Sequence, residues 1–378
     1  MKIRYVVLIC AFFIIQSTIQ GMAQSEDRII VLRSSHSGQF IATISLDNKI
    51  EIRLSSTMEV VRVLTGHMEQ ARALAWSHDD AFIAAGSSLY DETLSRTKSV
   101  IYIFQVESGN LISFSPEQFG TIFDLSWNRA NTGVLSGTEE IDGGMLSIFD
   151  IMTGTQRAVS FGNSVSLEYS PLYAQLAIGT VGGNIILVNG QTYLDEVVPS
   201  ITDENLQPAF FLAWHPSQLL ISSGHMDGMI RIWNATSGNT LHVLSAAAAI
   251  GMDAEYSQMV LALAFDSRGT RLRSFNREGR IRVWDTQTWA LIAEQIVPGP
   301  IYAADWDKTG TTLYYGTDSA IPRVVRAPDL PSPPPTPTAL PHPIFPPPGG
   351  GDPACPGGGG EWMWVDGELI FVCGVSWE

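Results

Sequence analysis

One unit recurs through most of this chain: a short apolar run that ends on an aromatic residue. It appears as Leu74-Ala75-Trp76, Leu125-Ser126-Trp127, Leu167-Glu168-Tyr169, Leu212-Ala213-Trp214, Leu263-Ala264-Phe265 and Ala304-Asp305-Trp306, with successive aromatics 51, 42, 45, 51 and 41 residues apart. A polar turn follows each, as in Asp266-Ser267-Arg268-Gly269 and Asp307-Lys308-Thr309-Gly310. Next come a short second strand, a turn bearing Gly or Asp, and a third strand of alternating character, clearest in Ile230-Arg231-Ile232-Trp233 and Ile281-Arg282-Val283-Trp284. Ser108-Gly109, Thr153-Gly154 and Ser237-Gly238 turns lead to a fourth. Side chains alternate faces along a strand, so such runs are half-buried strands. Closely spaced short strands dictate an all-β fold. Four strands in a repeat of about 45 residues make one supersecondary unit, which buries its face only by stacking on the next.

These residues resemble the WD-repeat β-propeller family across residues 28–330. Trp284-Asp285 is similar to the family's signature dipeptide, with Trp233-Asn234 and Phe149-Asp150 as variants. Gly66-His67 resembles its Gly-His, and Asp227-Gly228 its turn aspartate before the third strand, while the first unit has Ser34 where an aromatic should stand. The resemblance implies a seven-bladed β-propeller of four-stranded antiparallel blades within residues 24–327. Blade one is expected over Arg28–Leu64, blade five over Ala209–Leu244 and blade six over Val260–Ile296. Blade seven offers strands only near 301–306, 312–316 and 322–326 before Pro328-Asp329-Leu330-Pro331. Residues 24–27 are too few and too polar to supply a fourth, so the last blade is expected to be incomplete, its edge open or covered by the tail.

Residues 1–23 read as a secretory signal: Lys2 and Arg4 are followed by an apolar run from Tyr5 to Ile15 and by Gly21-Met22-Ala23. An uncleaved anchor is the weaker alternative, because the run is short of the roughly 20 residues that span a bilayer. The expected location is secreted or in the cell envelope. Residues 328–353 read as a linker, with 13 prolines between residues 328 and 356, and such segments are stiff spacers. In the tail, residues 354–378, two β-prone runs flank Asp366-Gly367, which signals a hairpin. Cys355 and Cys373 remain after cleavage and are expected to staple it by a disulfide.

The chain has 38 Asp and Glu against 22 Lys and Arg, a net charge of −16. Nucleic-acid affinity rests on neutralising phosphates, so nucleic acid is excluded as a partner. No His-Glu-x-x-His, phosphate loop, Gly-x-Ser-x-Gly or cysteine metal pattern occurs, and the seven histidines are scattered. His67 and His215 read as structural, and neither a cofactor nor a metal is called for. The favoured function is an exported, monomeric, non-enzymatic scaffold that binds a protein. An exported hydrolase or lyase with its site at the channel mouth, and a structural envelope protein attached by its tail, stay open.

Two candidate sites follow. The resemblance implies that each blade's first strand lines a central channel, and the ionisable residues there are Arg72, Asp124, Glu168 and Asp305. They form either a polar site or a hydrated mouth. The longest loops (Gly86–Ser99, Ser136–Gly144, Asp195–Gln207 and Ser245–Gln258) share one face and carry eleven acids: Asp91, Glu92, Glu139, Glu140, Asp142, Asp195, Glu196, Asp203, Glu204, Asp253 and Glu255. Only Arg96 and Lys98 offset them, which suggests a surface for a basic protein segment. A cation held by Glu139, Glu140 and Asp142 is weaker, since the spacing matches no calcium loop.

Overall fold

The computed structural model describes residues 26–67, 70–139, 144–159, 162–192, 195–197, 207–246, 258–328, 360–365 and 368–373, of which 195–197 and the last two segments are described by backbone alone. The expected signal, nearly all of the linker, Cys355 with its expected disulfide, and the acids Glu140, Asp142, Asp203, Glu204, Asp253 and Glu255 lie outside the described residues. Residues 1–329 and 330–378 form separate units. In the second, Gly360–Val365 pairs antiparallel with Glu368–Cys373.

Every element described is a strand, and the first unit arranges them as seven blades. Blade one runs Ile29–Ser34, Phe40–Ser45, Ile50–Leu54 and Val60–Leu64, in sequence order and antiparallel. Blades two to six begin at Ala71–Trp76, Thr121–Trp127, Ser164–Tyr169, Ala209–Trp214 and Val260–Phe265 and repeat that order. Blade seven consists of Ala303–Trp306, Thr312–Gly316 and Arg323–Arg326, so among the described residues it has three strands. Among the described residues no fourth strand pairs with Arg323–Arg326. The ring closes where blade seven's second strand meets Ile29 of blade one.

Local chemistry accounts for the repeat. The aspartate of each dipeptide caps the turn into the fourth strand: Asp285 Oδ1 accepts from Gln287 N at 3.0 Å and Thr288 N at 2.9 Å, and Asp150 Oδ1 does the same for Met152 and Thr153 at 2.9 Å. Such Asx turns offer the backbone an alternative to continuing the ladder. Between blades, the closing aromatic packs inward and its indole reaches back one blade. Trp76 Nε1 donates to Arg33 O at 3.0 Å, Trp127 Nε1 to Ala75 O at 2.9 Å and Trp214 Nε1 to Glu168 O at 3.0 Å. A glycine in the second strand admits the next blade. A Cβ at Gly179 would lie 2.4 Å from Ala209 O, and one at Gly224 2.5 Å from Val260, closer than real contacts allow.

Three expectations need correction. Gly86–Ser99 is not a loop: Phe82–Asp91 and Arg96–Gln105 form a long hairpin, paired out to Asp91↔Arg96. β-Branched and aromatic residues at Tyr90, Thr97 and Val100 carry the ladder past the disc. Asp195–Val197 is the fourth strand of blade four rather than the start of a connecting loop. Ser136–Glu139 belongs to the second strand of blade three, Gly133–Glu139.

Candidate functional site at the channel mouth

The first strands place their side chains in rings. In blades one to six that strand carries a bulge, which skips one residue of the ladder: Ile30, Arg72, Phe123, Val165, Phe210 and Leu261. A bulge re-aims the residues on either side of it. The skipped residues, together with Tyr302, line one mouth of the channel, a cavity of about 120 Å³. Arg72 therefore stands at a mouth that Asp124 and Arg33 also line but Glu168 and Asp305 do not, with its Nη2 3.1 Å from Gln70 Oε1. Burial alone pushes its guanidinium below the usual value.

Asp124, Glu168 and Asp305 come together at the opposite mouth, where a cavity of about 150 Å³ is lined by them with Arg33 and Lys308. Arg33 Nη2 lies 3.4 Å from Asp124 Oδ1. The second oxygen of Asp124 accepts from Leu167 N at 2.9 Å, and Asp305 Oδ2 accepts from Ser34 N at 2.8 Å. Burial raises both aspartates above their ordinary values, with Arg33 acting against it. Burial works against the charge on Arg33 too, but Asp124, Asp305 and Glu168 outweigh it and hold the guanidinium above its usual value. Glu168 differs from the aspartates: among the described residues nothing donates a hydrogen bond to its carboxyl. Burial pushes it up to about 7, with Lys308 opposing and Asp124 and Asp305 adding to the shift.

This cavity shares Glu168, Asp305 and Lys308 with a wider funnel of about 520 Å³. The funnel's rim is set by register. The residue two past the end of each first strand is, in blade order, His36, His78, Arg129, Pro171, Pro216, Ser267 and Lys308, and all seven line the funnel. The His36 and His78 rings stand 5.1 Å apart. Asp80 ties blade one's turn to blade two, accepting from His36 N at 2.8 Å and Ser37 N at 2.7 Å. Burial, with Lys308 and His78 adding to it, pushes His36 down to about 4.

Comparison with known proteins agrees with this geometry. The family described as "WD domain, G-beta repeat" matches residues 58–95 and 208–234. A stretch of 111 residues is 32% identical to the F-box-like/WD repeat-containing protein TBL1X of Mus musculus, covering 28% of this chain and 21% of that protein. Another of 105 residues is 29% identical to the WD repeat-containing protein VIP3 of Arabidopsis thaliana, covering 27% and 30%. A third of 214 residues is 21% identical to Autophagy-related protein 16 of Arabidopsis thaliana, covering 55% and 39%. The fold is a β-propeller, and WD repeats match two stretches of it. The chain's matched stretches span well under half the length of each of these relatives.

In this propeller the sequence reading missed Arg33, Lys308, His36 and His78. Arg33 precedes Ser34, so without an aromatic to mark the strand end its register was not visible. The rim residues sit in turns, and only the fixed offset from the closing aromatic brings them together. Of the long-loop acids, Asp91, Glu92 and Glu139 have described side chains. Asp91 is engaged by Thr93 and Lys98, which hold its carboxyl below the usual range; Lys98 Nζ is 3.0 Å away. Glu139 is buried at 7% exposure, its Oε1 without a partner among the described residues. Burial pushes it up to about 7. Of the acids with described side chains, Glu92 alone is both exposed and outside such an arrangement. Asp195 and Glu196 lie in the fourth strand of blade four. Among the described residues no group of three or more His, Cys, Asp or Glu is placed to hold a metal. No helix there is long and apolar enough to cross a membrane.

Proposed function

We propose that this propeller is a docking scaffold, and that a lysine or arginine side chain of a protein partner enters the funnel beside Glu168. The carrying observation is the Glu168 carboxyl: it faces a cavity, lacks a hydrogen-bond donor among the described residues, and shares that cavity with Asp124 and Asp305. A buried carboxyl without partners is costly, and a guest cation supplies both charge and donors. Binding rather than turnover is favoured because Asp124 and Asp305 are each fixed by a backbone amide, with Arg33 held on Asp124. That arrangement sets counter-charges in place, whereas a nucleophile needs an adjacent base. WD-repeat relatives of the chain fit a scaffold for protein–protein interaction. The partner is taken to be a basic segment, as the acidic composition suggests, and the docking face to be the first-to-second turn face rather than the long-loop face.

Titration calorimetry with lysine- and arginine-bearing peptides, against copies carrying norleucine and citrulline, tests this. Preference for the charged peptides, lost in Glu168→Gln, is expected. Equal binding by the wild type and the glutamine variant would show that the funnel is not the docking point. Export, inferred from residues 1–23, is tested separately: product recovered from the medium should begin at Gln24, and cytoplasmic protein retaining Met1 would refute it.

A further inference from the structure

The open edge of blade seven is chemically unlike the rest of the ring. In blades one to six the third strand is covered by a fourth, and it is the fourth that faces solvent, as in Val60–Leu64 and Thr240–Ser245. In blade seven the third strand itself is exposed, at Arg323, Val324 and Arg326. Its inner side is paired to Thr312–Tyr315, and Ala327 N donates to Thr311 O at 2.9 Å. Antiparallel bonding alternates along a strand, so the N–H and C=O of Val324 and Arg326 point to the open side. Unpaired edges are templates for another strand.

The residues at this edge select what pairs with it. Arg323 and Arg326 have no carboxylate partner among the described residues. A second copy pairing antiparallel about a two-fold at either arginine would set that arginine against its own copy, and like charges directly opposite are unfavourable. At the end of the same strand a cavity of about 320 Å³ is lined by Arg273, Thr311, Thr312, Arg326 and Ala327. Two guanidinium-bearing residues and two threonines lining one cavity suit a carboxylate.

We propose that this edge is a strand-docking site for a partner protein: an extended segment alternating acidic and β-branched residues adds as the fourth strand and seats a carboxylate between Arg326 and Arg273. Main-chain bonds supply affinity and the flanking arginines supply selectivity. This site is separate from the channel funnel, and either stands without the other.

The test uses the full chain and a short capped peptide of alternating glutamate and valine, with a lysine–valine peptide as its counterpart. Hydrogen exchange should show the amides of Val324 and Arg326 unprotected in the free protein and protected by the glutamate peptide, which binds at least about tenfold more tightly than the lysine peptide at low salt. Val324→Pro removes a donor from the open side alone, so it should abolish binding while leaving the thermal midpoint in place. Arg323→Glu with Arg326→Glu should invert the peptide preference. Protection of both amides in the free protein would overturn the proposal by showing the edge already covered by another part of the chain. Protection that rises with protein concentration would overturn it in favour of self-association, and equal binding of both peptides would remove the acidic partner.

Discussion

The indole N–H of Trp214 donates to the carbonyl of Glu168 at 3.0 Å, which ties blade five to the strand that carries the funnel's unsatisfied carboxyl. Trp76 makes the same bond to Arg33. The aromatics that build the interior of the ring therefore also fix the backbone under the charges of the mouth. Trp214→Phe keeps most of the packing and leaves the Glu168 carbonyl without its donor, at a cost of about 1–2 kcal/mol. Urea unfolding should show that loss in both Trp214→Phe and Trp127→Phe, whose indole bonds Ala75 instead. Only Trp214→Phe should also move the titration of Glu168, followed by the carboxyl carbon resonance.

Glu168 and Glu139 set one branch of the pH dependence. Both are held near 7 in the folded protein, above the unfolded value, so the native state binds more protons than the unfolded chain between about pH 4.5 and 7. Stability contributed by the neutral forms is complete below about pH 4.5 and declines as pH rises towards 7, by up to about 3 kcal/mol for each group. Glu168→Gln and Glu139→Gln should each raise the unfolding free energy at pH 8 and leave it nearly unchanged at pH 4. Denaturant curves at those two pH values check it, and a larger gain at pH 4 would contradict the burial assignment.

His225 sets the opposite branch. It is fully buried, its Nε2 2.7 Å from Ser223 Oγ and its Nδ1 2.7 Å from Gln207 O, and Trp233 Nε1 donates to the same Ser223 oxygen at 2.8 Å. Burial, with Arg231 adding to it, pushes the ring down to about 4. The folded protein then binds fewer protons than the unfolded chain between about pH 4 and 6.5, and stability falls as pH drops through that window. His36 acts in the same direction. In the wild type these slopes oppose those of the two glutamates between about pH 4.5 and 6.5. His225→Gln should remove part of the acid-side loss, so its stability profile slopes downward with rising pH where the wild type is flatter.

The aromatic spacing made the ring legible, down to the three described strands of blade seven, because each blade repeats one burial problem and solves it with one residue type. The channel was legible only in part. Asp124, Glu168 and Asp305 stand out as charges in apolar strands, whereas Arg72 looks equivalent to them and is sent to the far mouth by a bulge that leaves no mark in composition. Asp91 and Glu139 were placed on loops for another reason. Charge signals solvation only where the backbone leaves the sheet, and Glu139 and Asp91 lie on strands that continue further than their polar residues suggest.

Gly179 tests how the blades are spaced. It lies in the second strand of blade four, where an added Cβ would meet Ser166 Oγ at 2.1 Å and Ala209 O at 2.4 Å. Ser166 Oγ itself bonds Ala209 O at 2.6 Å, so a methyl group would part that bond as well as press on backbone. Gly224 faces side chains only, Val260 Cγ1 at 2.5 Å and Leu263 Cδ1 at 3.2 Å, with no backbone atom among its nearest neighbours. Overpacking costs typically about 1–3 kcal/mol; Gly179→Ala should sit at the upper end of that range and Gly224→Ala at the lower. Thermal unfolding of the two variants side by side decides it. Equal losses would mean that the ring expands at both seams, and that blade spacing is set by the indole bonds rather than by the glycines.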